Sequence, residues 1–297
     1  MAQNKLTLAA GLFAGALLAA GQANAGVVED HRVNFSNADA ALPDATDVWE
    51  WTITGRSQVV TRGSTTSLQA PGGEFYDNVA IRFTGFNDFN SNNETPASYG
   101  NGAGDTFELT AIGTLEGQNT SVTGDEVEFD FTSGSLGVYL DSANLNGGGA
   151  YTPSDFTDLS TFDDGMKVED LTLISSLFGQ TSDGDFDFEE QDGRTDPKFQ
   201  QTQLVEDFVT DADDTGRLNF LLADTNNEEN PNAAIESSFQ SYFSGTQGNG
   251  NDSLLATNDG SSKKAVPTPT TVGLLGIGLV ALGGGLSRRR KKAAADL

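Results

Sequence analysis

Residues 126–140 have the sequence EVEFDFTSGSLGVYL. Apolar and acidic residues alternate from Glu126 to Phe131, which is the two-residue period of a strand that buries one face. Gly134-Ser135 predicts a turn, and the apolar residues 136–140 predict a second strand after it. The acidic face is expected to stay in solvent and to discourage edge-to-edge association.

Strand-like stretches recur on both sides of this segment and are joined by residues rich in Gly, Ser and Asn. They are residues 48–54, 75–83, 106–115, 168–178, 204–209 and 218–222. The pattern predicts an all-β fold, mainly an antiparallel β-sandwich, with long loops. Asn230-Pro231-Asn232 predicts the start of one helix over residues 233–242.

The N-terminal end has the composition of a secretory signal peptide. Lys5 precedes an apolar stretch over residues 6–20, and the small residues Ala23 and Ala25 precede Gly26. This small-x-small pattern predicts cleavage between Ala25 and Gly26.

The C-terminal end has three parts. Val266-Pro267-Thr268-Pro269 is held extended by its prolines. Residues 272–286 are uncharged and, together with residues 268–271, approach the roughly 20 residues of a transmembrane helix. A basic stop follows, expected on the cytoplasmic side, and consists of Arg288, Arg289, Arg290, Lys291 and Lys292.

This three-part tail resembles the PEP-CTERM sorting signal of Gram-negative bacteria that make exopolysaccharide. Thr268 stands where that family usually has Glu. The resemblance implies that a membrane enzyme of the exosortase type recognises the motif Val266, Pro267, Thr268 and Pro269 and removes the tail near it. The protein would then pass to the cell surface or matrix. The alternative is an ordinary tail anchor that stays in the membrane.

The two ends divide the chain into four predicted parts. These are a signal peptide over residues 1–25, a secreted β-rich domain over 26–257, a spacer over 258–265 and the sorting signal over 266–297.

The charge balance is strongly acidic. The 297 residues include 16 Lys and Arg and 43 Asp and Glu, and the region 26–265 retains 10 basic and 42 acidic side chains, a net charge of −32. Nucleic acid is excluded as a partner, because binding phosphate requires Lys and Arg to neutralise it. The same charge excludes an anionic membrane surface and favours attraction of divalent cations or cationic polymers.

The chain has no cysteine and one histidine, His31. An exported protein without cysteine has no disulfide framework, and a zinc site of the usual His/Cys kind is excluded. A Ser-His-Asp triad would need His31, which we expect to be solvated among its charged neighbours. These exclusions predict a protein without enzymatic activity.

Asp183, Asp185 and Asp187 are the candidate metal ligands. Calcium prefers oxygen ligands, and carboxylates at alternate positions supply three of them. An EF-hand would have Gly and Glu where this chain has Phe188 and Arg194, so that motif is excluded. The alternative is a strand whose carboxylates form its wet face. Residues 211–216 (DADDTG) are a second candidate of the same kind, with a plain turn as the alternative.

Two further hypotheses concern sugars. Trp49 and Trp51 lie two residues apart and would form either a sugar-stacking platform or core anchors on one strand face. The Asn-rich loop over residues 85–104 is a further candidate for carbohydrate binding. A hydrolase acting on matrix polysaccharide through paired carboxylates is the third function class, although no two of the acids stand out.

The region before the tail resembles flocculation-associated PEP-CTERM proteins in the β pattern of residues 107–139 and in residues 164–168 and 255–258. The resemblance implies a secreted protein that binds cells into exopolysaccharide aggregates. We therefore expect a protein exported through the inner membrane of a Gram-negative bacterium to its surface or extracellular matrix, contributing to floc or biofilm formation. The expected partners are an exosortase-type enzyme, exopolysaccharide and, before processing, the membrane through the C-terminal helix, with Ca²⁺ as the candidate cofactor.

Overall fold

The computed structural model describes residues 27–28, 30–145, 151–177, 180–211, 220–246 and 252–266, and Val28–Val266 forms one compact unit. Of the described residues, 57% lie in strands. The strands are β1 Val27–Val28, β2 His31–Val33, β3 Ala45–Val48, β4 Glu50–Thr61, β5 Glu74–Asn87, β6 Phe107–Thr123, β7 Glu126–Ser142, β8 Met166–Leu173, β9 Ser176–Leu177, β10 Gln180–Thr181, β11 Asp183–Asp187, β12 Asp192–Asp196, β13 Lys198–Gln203, β14 Val209–Asp211, β15 Phe220–Glu229 and β16 Ser253–Val266. The one α-helix of the described residues is α1, Ala233–Tyr242.

The main sheet closes into an antiparallel barrel of eight strands. β4, β5, β6 and β7 pair in chain order, and β7 then pairs with β11 along its first half and with β8 along its second. β15 likewise pairs with both β12 and β13, while β8 pairs with β13 and β11 with β12. β8 and β11 therefore act as one barrel strand interrupted by the β9–β10 hairpin, and β12 and β13 as another interrupted at Pro197. β16 closes the ring between β15 and β4.

The all-β antiparallel prediction is confirmed, but the predicted sandwich is wrong. Alternation with a period of two shows only that one face of each strand points toward a core. The strands of a sandwich and those of a barrel both have this alternation. The distinction depends on the pairing of β16 with β4, which joins the two ends of the sheet. Local periodicity contains no information about such a long-range pairing.

The predicted turn at Gly134-Ser135 is also wrong, because β7 runs through it as one strand of 17 residues. Ser133 pairs with Glu116 and Phe131 pairs with Gly117, so Thr132 is the extra residue of a β-bulge. Gly134 has φ of 142°, and a Cβ there would lie 2.5 Å from the carbonyl oxygen of Thr114. The bulge shifts the apolar alternation by one residue. In the sequence this break in the alternation looks the same as two strands joined by a turn.

One end of the barrel is closed by a small sheet of β2, β3 and β14. The buried Phe35, which follows β2, contacts the rings of Phe86, Tyr99, Phe107 and Phe208 at centroid distances of 5.1–5.9 Å. The predicted long loop over 85–104 contributes Tyr99 to this cluster. The segment between β5 and β6 is therefore partly built into the core.

A second apolar cluster lies on the outside of the barrel wall. The helix α1 contributes Ile235 and Phe239, and the residue that follows it contributes Phe243. These side chains pack with outward-facing residues of three barrel strands and with the 3₁₀ turn Leu159–Phe162. The predicted helix is confirmed with its predicted bounds. Asn232 caps it, since its side-chain oxygen accepts hydrogen bonds from the backbone nitrogens of Ala234 (3.1 Å) and Ile235 (3.3 Å).

Residues 258–265, predicted as a spacer, instead form most of β16. They lack apolar alternation because the barrel interior is polar along this strand. Asn258, Ser262 and Lys264 are its inward residues and are at most 7% exposed. Their polarity is what suggested a solvated spacer.

No helix within the described ranges has both the length and the apolar character needed to cross a membrane. The predicted helix over 272–286 lies outside those ranges, as does the predicted signal peptide over 1–25.

We expect two truncated proteins to show that the barrel requires β16 and does not require the residues after it. A protein of residues 26–266 keeps every strand of the barrel and should give a β-type circular dichroism spectrum and a cooperative thermal transition. A protein of residues 26–257 lacks the part of β16 that pairs with Trp51–Gly55 of β4 and should lose that transition, because the barrel is left open. Cooperative unfolding of the shorter protein at the same temperature would contradict the closure.

Candidate functional site

The predicted sorting residues lie largely outside the described ranges. Ala23, Ala25 and Gly26 precede them, and Pro267, Thr268, Pro269 and the basic stop at 288–292 follow them. Val266 is the last residue of β16. The cleavage sites at both ends stay predictions.

The candidate metal ligands Asp183, Asp185 and Asp187 lie on the outer face of β11, opposite the buried Phe186. Asp183 Oδ2 accepts a hydrogen bond from Thr181 Oγ1 (2.5 Å), and Asp187 Oδ1 accepts from the backbone nitrogens of Glu189 (2.8 Å) and Glu190 (3.0 Å). Among the described residues, no group of three or more His, Cys, Asp or Glu is placed to hold a metal ion. Calcium binding at β11 stays a prediction. In the second candidate, Asp211 ends β14 and residues 212–216 lie outside the described ranges.

β7 and β11 together form what we call the acidic ladder. Each carboxylate of β11 lies directly across from one of β7: Asp183 opposite Asp130, Asp185 opposite Glu128, and Asp187 opposite Glu126. Directly opposed like charges destabilise a sheet. Four of the six carboxylates, together with Arg194 and Asp196, line a surface groove of about 330 Å³ and are open there to a polymer or a cation; they are Glu128, Asp130, Asp183 and Asp185.

A larger groove of about 520 Å³ adjoins the ladder on the side of β15 and β16. It is lined by three of the ten basic residues of the region 26–265, namely Arg194, Lys198 and Lys263. Arg194 pairs with Asp196 (2.9 Å) and Asp224 (3.3 Å). Its lining contains both donors and acceptors, which suits hydrogen bonding to a polar ligand.

The two tryptophans have different environments. Trp51 is fully buried, its Nε1 donates to Nε2 of His31 (2.5 Å), and Lys264 Nζ lies 4.4 Å from the centroid of its ring. Trp51 is therefore a core anchor and the hypothesis that it stacks on sugar is wrong. Trp49 is half-buried and packs edge-to-face on Phe89, with centroids 5.1 Å apart.

Phe89 is 68% exposed at the tip of the Asn-rich loop. The loop is fixed by Asp88, whose Oδ1 accepts from the backbone nitrogens of Asn90 (2.8 Å) and Asn92 (2.7 Å) and whose Oδ2 accepts from Asn92 Nδ2 (2.7 Å). These hydrogen bonds, led by that of the Asn92 side chain, lower the pKa of Asp88. Trp49 and Phe89, which we call the aromatic pair, are thus presented to solvent on an ordered turn.

His31 was expected to be solvated, and this expectation is wrong, because its side chain is fully buried. His31 and Val33 both point inward on β2. The sequence signal for the burial of His31 was therefore a two-residue period over only three positions. Because His31 Nε2 accepts the hydrogen bond from Trp51, that nitrogen is unprotonated. Its role is to join the small end sheet to the barrel.

A buried ion pair joins three barrel strands beneath Trp51. Lys264 Nζ lies 3.1 Å from Glu169 Oε2 and donates to Gln201 Oε1 (2.8 Å), while Gln201 also bonds Glu169. Burial raises the pKa of Glu169 and lowers that of Lys264, and the opposite charge of each partner counteracts this. Replacing either residue alone would leave an uncompensated charge in the core.

Among the residues that the structure describes, the middle of the barrel contains one further ionisable side chain, which sequence reasoning missed. Asp77 of β5 lies on the same face as Phe75 and Val79 and is 8% exposed. Burial raises its pKa to about 7, and a hydrogen bond with Ser57 offsets part of the effect. Its position between two apolar residues at the strand period could have identified it.

Comparison of the sequence with protein-family models and with curated proteins, and of the fold with solved structures, gives no match. The functional interpretation therefore depends on the geometry of this chain.

Asp77→Asn is expected to change how stability depends on pH. The folded carboxyl binds its proton more tightly than an unfolded one (ordinary pKa 3.8), so its stabilising contribution is complete below about pH 4 and lost as pH rises through 7. From pH 4 to pH 8 the free energy of unfolding should fall by up to about 4 kcal/mol more in the parent protein than in the variant. Urea unfolding in buffers whose only added cation is tetramethylammonium measures this.

Asp185→Asn, on the exposed face of β11, is the matched control and should retain the parent dependence. Parallel pH profiles for the parent and Asp77→Asn would contradict the buried position of Asp77.

Proposed function

We propose that this is an exported, non-enzymatic protein of the cell surface or extracellular matrix that contributes to the cohesion of exopolysaccharide-associated flocs or biofilms. The observation that supports this proposal is that the compact unit Val28–Val266 occupies the region between the predicted signal peptide and the predicted sorting signal. Its last strand ends at Val266, the first residue of the sorting motif. Cleavage just after Val266 by an exosortase-type enzyme would leave the barrel whole.

The proposed mechanism of cohesion is calcium bridging through the acidic ladder. Calcium takes six to eight oxygen ligands. One opposed pair of carboxylates supplies only part of this set, so the remaining ligands would come from water and from carboxylates of an acidic polysaccharide or a second copy. Bridging also removes the repulsion between opposed carboxylates, and the groove along the ladder gives a polymer access to them.

Deletion of residues 267–297 in the producing bacterium tests this function. The parent protein should appear in the surface or matrix fraction with a C-terminus at or near Val266 by mass spectrometry, and the deletion should lower that fraction and the cohesion of the flocs. Flocs of the parent strain should disperse in a calcium chelator and re-form with calcium, whereas Glu128→Gln with Asp185→Asn should weaken this response without changing location.

Glu94→Gln with Glu236→Gln removes the same charge away from the ladder and serves as the control. Recovery of the uncut chain in the cytosol would refute the export proposal. Flocs indifferent to calcium would refute the bridging mechanism.

A second candidate function, carbohydrate binding, is favoured by the aromatic pair. An exposed Phe held on a rigid turn beside a half-buried Trp offers an apolar surface of the kind that stacks on a sugar ring, with Asn side chains nearby for hydroxyl groups. It replaces the earlier hypothesis of a Trp49–Trp51 platform.

Trp49→Ala and Phe89→Ala should each weaken binding to the exopolysaccharide about two- to tenfold, as expected for an aromatic contact of about 0.5–1.5 kcal/mol. Affinity electrophoresis in gels containing the polymer measures the loss. Leu204→Ala, at another exposed apolar residue, is the control. Equal retardation of all variants would remove this candidate.

A further inference from the structure

The barrel interior contains a polar belt between two apolar layers. Asp77 of β5 belongs to it, together with hydroxyl and amide side chains of β4, β12, β15 and β16 that line the same two cavities. These are Ser57, Thr195, Thr225, Asn227, Asn258 and Ser262. Such a belt in an otherwise apolar core needs partners for its polar atoms.

Two adjoining cavities of about 40 and 50 Å³ lie at this belt, and both are lined by Asp77 and Thr195. Asp77 is the one ionisable side chain among the described residues that line them. The cavities are far smaller than the roughly 150 Å³ that holds a benzene molecule. They accommodate water molecules or a small ion but exclude a metabolite.

Two atoms of the belt have no hydrogen-bond partner among the described residues: Asp77 Oδ1 and Ser262 Oγ. Asn258 lines the same cavity as both, and its Oδ1 lies 3.3 Å from Ser57 Oγ. A buried carboxylate oxygen without a partner destabilises the folded state. A ligand with positive charge would remove this cost.

We propose that the barrel binds one small monovalent cation, of the size of Na⁺ or K⁺, with Asp77 Oδ1 as its charged ligand and neighbouring hydroxyl and amide oxygens of the belt completing the site. Oxygen ligands suit hard cations. One carboxylate balances one positive charge, whereas a divalent ion would leave a net charge in an apolar core. Water fills the remaining volume.

Proton and cation compete for the same carboxylate. Because burial raises the pKa of Asp77 to about 7 despite the opposing hydrogen bond with Ser57, the empty site holds a proton at acid pH and is available to a cation at alkaline pH. Cation binding should therefore be strong at pH 8 and weak at pH 5. This site is independent of the acidic ladder and of export, so its failure would not affect the proposed function.

The test is thermal unfolding of protein expressed from the full-length gene, at constant ionic strength, with NaCl or KCl progressively replacing tetramethylammonium chloride. At pH 8 the midpoint temperature should rise by about 3–5 °C per tenfold increase in Na⁺ or K⁺ once the site is largely filled. Tetramethylammonium is too large for the cavities and gives the baseline. At pH 5 the rise should nearly vanish.

Asp77→Asn should lose the cation response, and Glu94→Gln, which lies outside both the belt and the acidic ladder, should keep it. The same midpoint in all three salts at pH 8, or an equal response in Asp77→Asn, would overturn the proposal and leave a chamber that holds water alone. If Asp77→Asn does not fold, the pH 8 and pH 5 series of the parent protein decide: a response of equal size at both pH values also overturns it.

Discussion

The pairing of β16 with both β15 and β4 is the interaction on which the rest of the structure depends. It turns an open meander into a ring, and a ring has no exposed backbone edge for another chain to extend. The chain has no cysteine, so this closure and the burial it produces stabilise the fold without any disulfide bond. β16 also brings Lys264 to its buried partner Glu169, which joins the last strand of the barrel to β8.

Closure places polar groups of β16 in the interior, and the rest of the barrel is arranged around them. Lys264 is satisfied by Glu169, by Gln201 and by the face of Trp51. Trp51 in turn donates to His31, so one chain of contacts runs from β8 through β16 and β4 to the end sheet. Asp77 is buried in the same barrel without a comparable set of partners, since its Oδ1 has no hydrogen-bond partner among the described residues.

Features with a local cause could be predicted from the sequence, and features with a distant cause could not. The inward face of β7 near Phe131 follows from alternation, and the helix bounds follow from the Asn232 cap and the apolar spacing after it. The bulge at Gly134 changes the phase of that alternation, and a period of two cannot distinguish a bulge from a turn. His31, Asp77 and the residues 258–265 were misjudged or missed for one reason: a polar residue is expected in solvent unless its partner, remote in sequence, is known.

The closed interior also determines where the protein can contact a polymer. Cavities of 40–50 Å³ exclude a sugar chain, so any contact with exopolysaccharide must use the outer wall or the turns at the barrel ends. On that wall the acidic ladder opposes like charges in three successive pairs, an arrangement that lowers the stability of the sheet in the absence of a counterion. A barrel with a closed hydrogen-bond ring tolerates this cost, whereas an open sheet edge of the same composition would separate. The repulsion among these six carboxylates would also favour a bridging cation, so the cohesion proposed for this protein and the stability of its sheet would place opposite demands on the same side chains.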